Sequence, residues 1–314
     1  MEDRLIPLNA FIGLCVPDHL WPSPLAQVGY TLAGIEVPVG ADDRTVVFDV
    51  IAFRQSQNRV LGVEAKSGRN VETDQAQRYQ SVQVDDVVRA ASINVQQEGS
   101  RSLQTLYVCL ADHLDRILVG LQNAGVDFPI VAVDNDAIRH AGGLFDDLDV
   151  QQVFDSPQVF VGAPPRYVAV DLESTDEEID SLVLATLVEE LSHARRLIET
   201  PVLTARAITH LPLYGTAARN QLERRVDQAA KRIAATDPDS FLYLPATATR
   251  HASAVEFVRS PEGLDPRGRT QSYQAVARAA TGRPRRRHQL AGQQSLDELL
   301  AELEKVSQDS EEEE

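Results

Sequence analysis

The chain of 314 residues is short of several things that would have fixed its class at once. It has only two cysteines, Cys15 and Cys109, far apart in sequence, so no cysteine-built metal centre or disulfide scaffold can be assembled. Cys109 lies in the apolar run 106–110 and reads as a buried thiol. No apolar run reaches the roughly 18 residues that a membrane-spanning helix needs. The start, Met1-Glu2-Asp3-Arg4, leads into a stretch broken by Pro7, Asn9 and Pro17, which is no secretory signal. A cytoplasmic protein without a membrane partner is therefore expected. The seven histidines stand at no metal-ligand spacing, and Gly142-Gly143 is a turn signal rather than a phosphate-cradling loop. Lysine is the scarcest charge: Lys66, Lys231 and Lys305 are the only three among 30 basic residues, the rest being arginine.

Hydrophobic residues make up 43% and charged residues 25%, the composition of a globular chain long enough for two domains. The formal net charge of -17 speaks against nucleic acid if read as one number. Divided along the chain it does not. Residues 1–194 carry 12 basic and 30 acidic groups, residues 195–287 carry 17 and 8, and residues 288–314 carry 1 and 9. An acidic front, a basic back and an acidic tail are expected to have different partners.

The front half alternates strand and helix signals. Residues 21–33 open with Ser23-Pro24 and carry Leu25, Val28 and Leu32, which predicts a helix. Three Val- and Ile-rich runs follow, 34–39, 45–53 and 59–66, separated by polar turns. A helix is expected over 72–92, a strand over 103–110, a helix over 112–123, a strand over 128–133 and a short strand over 159–161. That order gives an α/β domain with a mixed sheet flanked by helices. A boundary is placed after residue 165, where Gly162, Pro164 and Pro165 precede an acidic cluster. The expected organisation is 1–165, a mostly helical domain over 175–280, and an Arg-rich linker with an acidic tail helix over 281–314. Within the second part, helices over 177–198, 204–211 and 216–235 precede a hairpin of 241–244 and 255–258. Three helices and a hairpin is the order of a winged helix-turn-helix. A last helix is read over 271–280.

Chemistry concentrates in the meander. Asp49 stands in the otherwise apolar run 46–53, where a carboxylate is costly unless paired. On the next strand, Glu64 and Lys66 are two apart and share a face. If the strands are neighbours, the three side chains converge. Two carboxylates are hard oxygen ligands suited to magnesium, and a lysine beside them can orient or deprotonate an attacking water or offset phosphate charge. In a chain that uses arginine almost everywhere, a lysine at this place points to a role for a compact charge that arginine does not fill.

Asp49 followed by Glu64-Ala65-Lys66 resembles the catalytic core of the PD-(D/E)xK nuclease superfamily, which includes restriction enzymes, Holliday-junction resolvases and RecB-type nucleases. The resemblance covers roughly residues 20–135 and implies a restriction-endonuclease-like sheet. It implies magnesium (or manganese) held by Asp49, Glu64 and the carbonyl of Ala65, with Lys66 at the attacking water. Gln75 and Tyr79 match the Gln-x-x-x-Tyr of RecB-type members and are implied to orient the site. Phe48 stands where the family's proline would be. The acid that many members carry on the first helix is absent from 21–33, with Asp18 and Glu36 nearby.

In the basic back, Leu222, Val226, Ala229 and Ile233 form an apolar stripe on 216–235, leaving Asn220, Arg224 and Lys231 on the opposite face, with Arg219, Arg225 and Arg232 at its flanks. DNA contact is expected from Asn220 and Arg224 at base edges and from Arg219, Arg225 and Lys231 at phosphates, with Arg250 and His251 on the wing. The expectation is a metal-dependent DNA endonuclease. The alternative is an inactive nuclease-fold DNA-binding regulator or scaffold of a defence or mobile-element complex. A homodimer, or a protein partner bound through the acidic tail, is also expected.

Overall fold

A computed structural model describes residues 5–17, 21–40, 45–96, 99–160, 164–193 and 195–258. The helix and tail expected over 271–280 and 295–306, and Asp18, lie outside the described residues.

The centre is a seven-stranded mixed sheet in sequential order: β1 (Tyr30–Val39), β2 (Val46–Arg54), β3 (Arg59–Lys66), β4 (Ser102–Leu110), β5 (Ile130–Val133), β6 (Ala137–Gly142) and β7 (Gln158–Val159). The first three form an antiparallel meander, β3–β4 and β4–β5 are parallel, and β5 to β7 are antiparallel. The parallel joins are made by helical crossovers, as they must be. Helices α3 (Thr73–Ser81) and α4 (Val84–Ala90) lie between β3 and β4, and α5 (Leu114–Ala124) lies between β4 and β5. The α/β sheet flanked by helices is thus the observed architecture.

The amino end departs from the sequence reading. The helix expected over 21–33 is only α2 (Pro24–Gln27), and β1 begins at Tyr30. Leu32 pairs with Ala52 of β2, so ladder pairing overrides the helical spacing of Leu25, Val28 and Leu32. The substantial first helix is α1 (Leu5–Cys15), with every residue but Ile6 buried. It is apolar all round, so it has no amphipathic signature to read. Its one amide, Asn9, is satisfied by the backbone of Val168: Nδ2 donates to Val168 O at 2.9 Å, and Val168 N donates to Oδ1 at 2.7 Å. The helix expected over 72–92 breaks at Val82–Gln83 into α3 and α4. Strand β6 and helix α6 (Leu148–Val153) were not foreseen.

Asp147, the N-cap of α6, is buried and well served. It accepts from Tyr30 Oη at 2.9 Å, from Asp149 N at 3.0 Å and from Arg54 Nη1 at 3.2 Å, with Arg59 Nε at 3.8 Å. Burial alone would raise its pKa, but these donors outweigh it and hold the carboxyl below its usual value.

After the loop 164–175 come α7 (Asp176–Ser192), β8 (Leu197–Glu199), α8 (Thr200–Ala207), α9 (Thr216–Thr236), β9 (Phe241–Leu244) and β10 (Ala254–Phe257). Thr175 and Glu178 close a capping box on α7. The helix expected over 177–198 stops at Ser192, and β8 adds a third strand to the hairpin in the order β8-β10-β9, all antiparallel. This part is joined to the large sheet. Ile35 forms a bridge with Tyr214, and Gly215 N donates to Ile35 O at 2.9 Å. The described residues belong to one compact unit. Among the described residues no helix is long and apolar enough to cross a membrane.

Candidate active site

Asp49 lies on β2, Glu64 and Lys66 on β3, and Gln75 and Tyr79 on α3, one turn apart. The pairing of β2 with β3 runs only from Arg54↔Arg59 to Val50↔Val63. Beyond Val63 the two strands no longer pair, and Asp49 fills the opening: its Oδ2 accepts from the Ala65 N–H at 2.6 Å. A strand residue turns its N–H and C=O to the same neighbour, so the Ala65 carbonyl faces the same opening. The fold thus brings the half-buried carboxylate of Asp49 to the Glu64-Ala65-Lys66 segment.

Glu64 is buried and fully engaged. Its Oε1 lies 2.6 Å from Lys66 Nζ and accepts from Gln75 Nε2 at 3.2 Å, and its Oε2 accepts from Tyr79 Oη at 2.5 Å. Lys66 Nζ also donates to Gln75 Oε1 at 2.9 Å. Gln75 therefore bridges the carboxylate and the ammonium, using both ends of its amide. Tyr79 Oη also lies 2.5 Å from Val47 O, so one proton serves two acceptors. Burial, followed by the Glu64 charge, pushes the Tyr79 phenol up, which keeps it a donor. Its ring packs on Phe48 with centroids 4.9 Å apart, and Phe48 in turn covers Gly62, where a Cβ would collide with the ring.

Asp49 has no such company. Burial, the Glu64 charge and the Glu36 charge together push its carboxyl well above the usual value, against the opposing Ala65 N–H and Lys66. Glu36 comes from β1, where the pairs Ile35↔Val50 and Val37↔Phe48 place it opposite Asp49. Its φ of 50° is left-handed, unusual for a residue with a Cβ. Sequence spacing marks Glu36 only as a nearby acid; its position opposite Asp49 follows from strand register.

A further group is absent from the sequence reading. Tyr107 of β4 is the register partner of Glu64 and is fully buried. Its hydroxyl has no hydrogen-bond partner among the described residues. Burial and the charges of Glu64 and Asp49 push its phenol up.

Among the described residues no three of His, Cys, Asp and Glu are grouped to hold a metal by themselves. The oxygens of Asp49 and Glu64 with the Ala65 carbonyl instead fit an ion such as magnesium, which keeps most of its waters and takes one or two carboxylates. The Asp49 carboxyl is raised by burial first and then by the charges of Glu64 and Glu36, and a divalent cation beside it would favour its charged form.

The basic residues of 195–258 separate by geometry. Arg225 is turned inward, donating to Leu172 O at 3.1 Å, to Ser174 O, and to Asp176 Oδ1 at 3.1 Å. Arg232 holds Asp180 at 2.7 Å, and Arg195, Arg196 and Arg206 also pair with acids. Arg219, Arg224, Lys231 and Arg250 have no ion pair among the described residues. Arg250 Nη1 donates to Pro245 O at 3.2 Å. Asn220, Arg224 and Lys231 are exposed, and Arg219 is half-buried. Asn220 and Arg224 line an open groove of about 650 Å³ with Thr200, Glu223, Gln228 and His251. Asp227, which also lines it, holds α9 to the hairpin through Tyr243 Oη at 3.0 Å and through Ser253 Oγ.

No curated protein and no solved structure matches the chain. The model of one family, the MJECL32 domain, matches residues 3–157, a span that contains β1 to β6 and every residue of the carboxylate cluster and ends just before β7.

Proposed function

We propose that the protein is a magnesium-dependent DNA endonuclease of the PD-(D/E)xK type, docked on DNA by its carboxyl-terminal helices and hairpin. The observation that carries this reading is the single bonded network of Glu64, Lys66, Gln75 and Tyr79 beside a half-buried Asp49 with a raised pKa. Perturbed carboxylates gather where chemistry is done. Asp49, Glu64 and the Ala65 carbonyl would hold the ion, which when bound polarises a phosphate oxygen. Lys66 Nζ donates to the attacking water and offsets charge on the scissile phosphate. Gln75 aligns Lys66 with Glu64, and Tyr79 fixes the second Glu64 oxygen.

What supports the winged-helix reading of the carboxyl-terminal part is its chain order of helix, strand, helix, helix and hairpin, with the first strand beside the last. With α9 as reading helix, Asn220 and Arg224 face base edges, and Arg219, Lys231 and Arg250 meet phosphates. Arg225 leaves the DNA set because its guanidinium is already committed to the base of α7.

The alternative of an inactive nuclease fold that only binds DNA draws on one observation. Lys66 is closed into the network by Glu64 and Gln75, as a structural lysine would be. One assay separates the readings. Supercoiled, linear and branched DNA are incubated with magnesium or manganese and with wild type, Lys66→Ala or Asp49→Ala. Cleavage by wild type alone is expected. No cleavage of any substrate, with DNA binding intact in all three proteins, would overturn the enzyme.

A further inference from the structure

Tyr107 is in an arrangement that packing does not explain. Residues in register on adjacent strands share a face, so its side chain lies alongside that of Glu64. Phe128 stacks against it at 5.9 Å and Tyr79 meets it edge-on at 6.4 Å. Phenylalanine would make these ring contacts equally well and would bury no polar atom. The hydroxyl is nonetheless present, buried and without a hydrogen-bond partner among the described residues. A buried polar atom left unpaired is destabilising, and such exceptions call for a ligand, an ion or a water to complete them. Glu64 has its own donors in Lys66, Gln75 and Tyr79, so Tyr107 is not needed to satisfy it.

We propose that Tyr107 is a positioning residue for the divalent ion: its oxygen accepts a hydrogen bond from a water that the ion keeps on entering beside Asp49 and Glu64. This rests on the nuclease reading above. Magnesium retains several waters, and each is a strong donor in need of an acceptor. A tyrosine hydroxyl accepts as well as donates, so its unpaired oxygen can take that bond. Tyr107 therefore raises affinity for the ion without touching it, as outer groups do at other metal sites.

The test is calorimetric titration of the full chain with magnesium and with manganese, comparing wild type with Tyr107→Phe, alongside thermal unfolding in EDTA. Loss of one hydrogen bond weakens ion binding about three- to tenfold. Unfolding without ion is expected at the same or a higher temperature, because the variant removes an unpaired hydroxyl. Equal ion affinity in the two proteins would overturn the role of Tyr107 and leave the nuclease reading in place. A lower unfolding temperature for the variant in EDTA would overturn it too, since the hydroxyl would then have a partner without the ion. Failure of wild type to bind either ion would remove both.

Discussion

Two buried carboxylate clusters sit on one sheet and are built in opposite ways. Asp147 is surrounded by donors: a tyrosine hydroxyl, a backbone N–H and two guanidinium groups, and its pKa is lowered. Asp49 is raised by burial first and then by the acids Glu64 and Glu36, with one N–H and one shared lysine against them. The first arrangement is complete and needs nothing more. The second is short of positive charge at the place where chain and strand bring most acids together. Burial is common to both, so burial does not tell a scaffold from a site; compensation does.

The contrast can be broken most severely at Asp147. Asp147→Ala leaves Arg59 and part of Arg54 facing an apolar gap, and should cost about 3 kcal/mol in denaturant unfolding. Asp149 still holds Arg54 at 2.6 Å, which limits the loss. Lys66→Ala should lower cleavage by about 10²–10³-fold, beyond whatever stability it loses by leaving buried Glu64 without its cation. A large stability loss with turnover retained would place Lys66 with Asp147, as scaffold.

A second form of the same contrast lies on α9. Arg224→Ala should weaken DNA binding by about 1–3 kcal/mol with little change in stability. Arg225→Ala should do the reverse, because its guanidinium ties α9 to Leu172, Ser174 and Asp176. Binding isotherms and melting curves on the two variants check both directions.

The smallest effect is the sharpest in sign. In EDTA, Asp49→Asn should raise stability at neutral pH, since it removes a carboxylate whose charged form burial and the Glu64 and Glu36 charges disfavour. Folded Asp49 holds its proton above the usual carboxylate range, so its contribution falls as pH rises from that range through the folded value. Asp147 has the opposite sign: its stabilisation is complete at neutral pH and is lost as pH falls through the usual range to the lower folded value. Unfolding curves between pH 3 and about 8 should lose one slope in Asp49→Asn and the other in Asp147→Ala.

The meander and its acids were legible because their signals are local. Asp49 interrupts an apolar run, and Glu64 and Lys66 keep the two-residue period of one strand face, so neighbouring strands bring them together. What could not be read depends on register between distant segments. Glu36 and Tyr107 gain their places from pairing with β2 and β3, and nothing in their own neighbourhoods marks them. Helix α1 escaped because burial on all sides erases periodicity, and Pro7 and Asn9 looked like breaks. Arg224 and Arg225 are adjacent in a basic helix, and the contacts of Arg225 with Leu172, Ser174 and Asp176, distant in sequence, separate their roles.

The junction at Ile35 has a consequence for how the chain can be divided. Strand β1 is the margin of the large sheet, and its outer side is met by Tyr214 and Gly215 at the start of α9. A Cβ at Gly215 would strike the carbonyl of Glu36, so the approach is as close as the backbone allows. A fragment ending near residue 157 would lose this cover and the strap at Val168 that anchors Asn9. It would present a bare row of amides and carbonyls ready to recruit another chain. The segment at Tyr214 and Gly215 is therefore a stitch on the open edge of the sheet at Ile35, and cutting the chain before it frees that point of the edge.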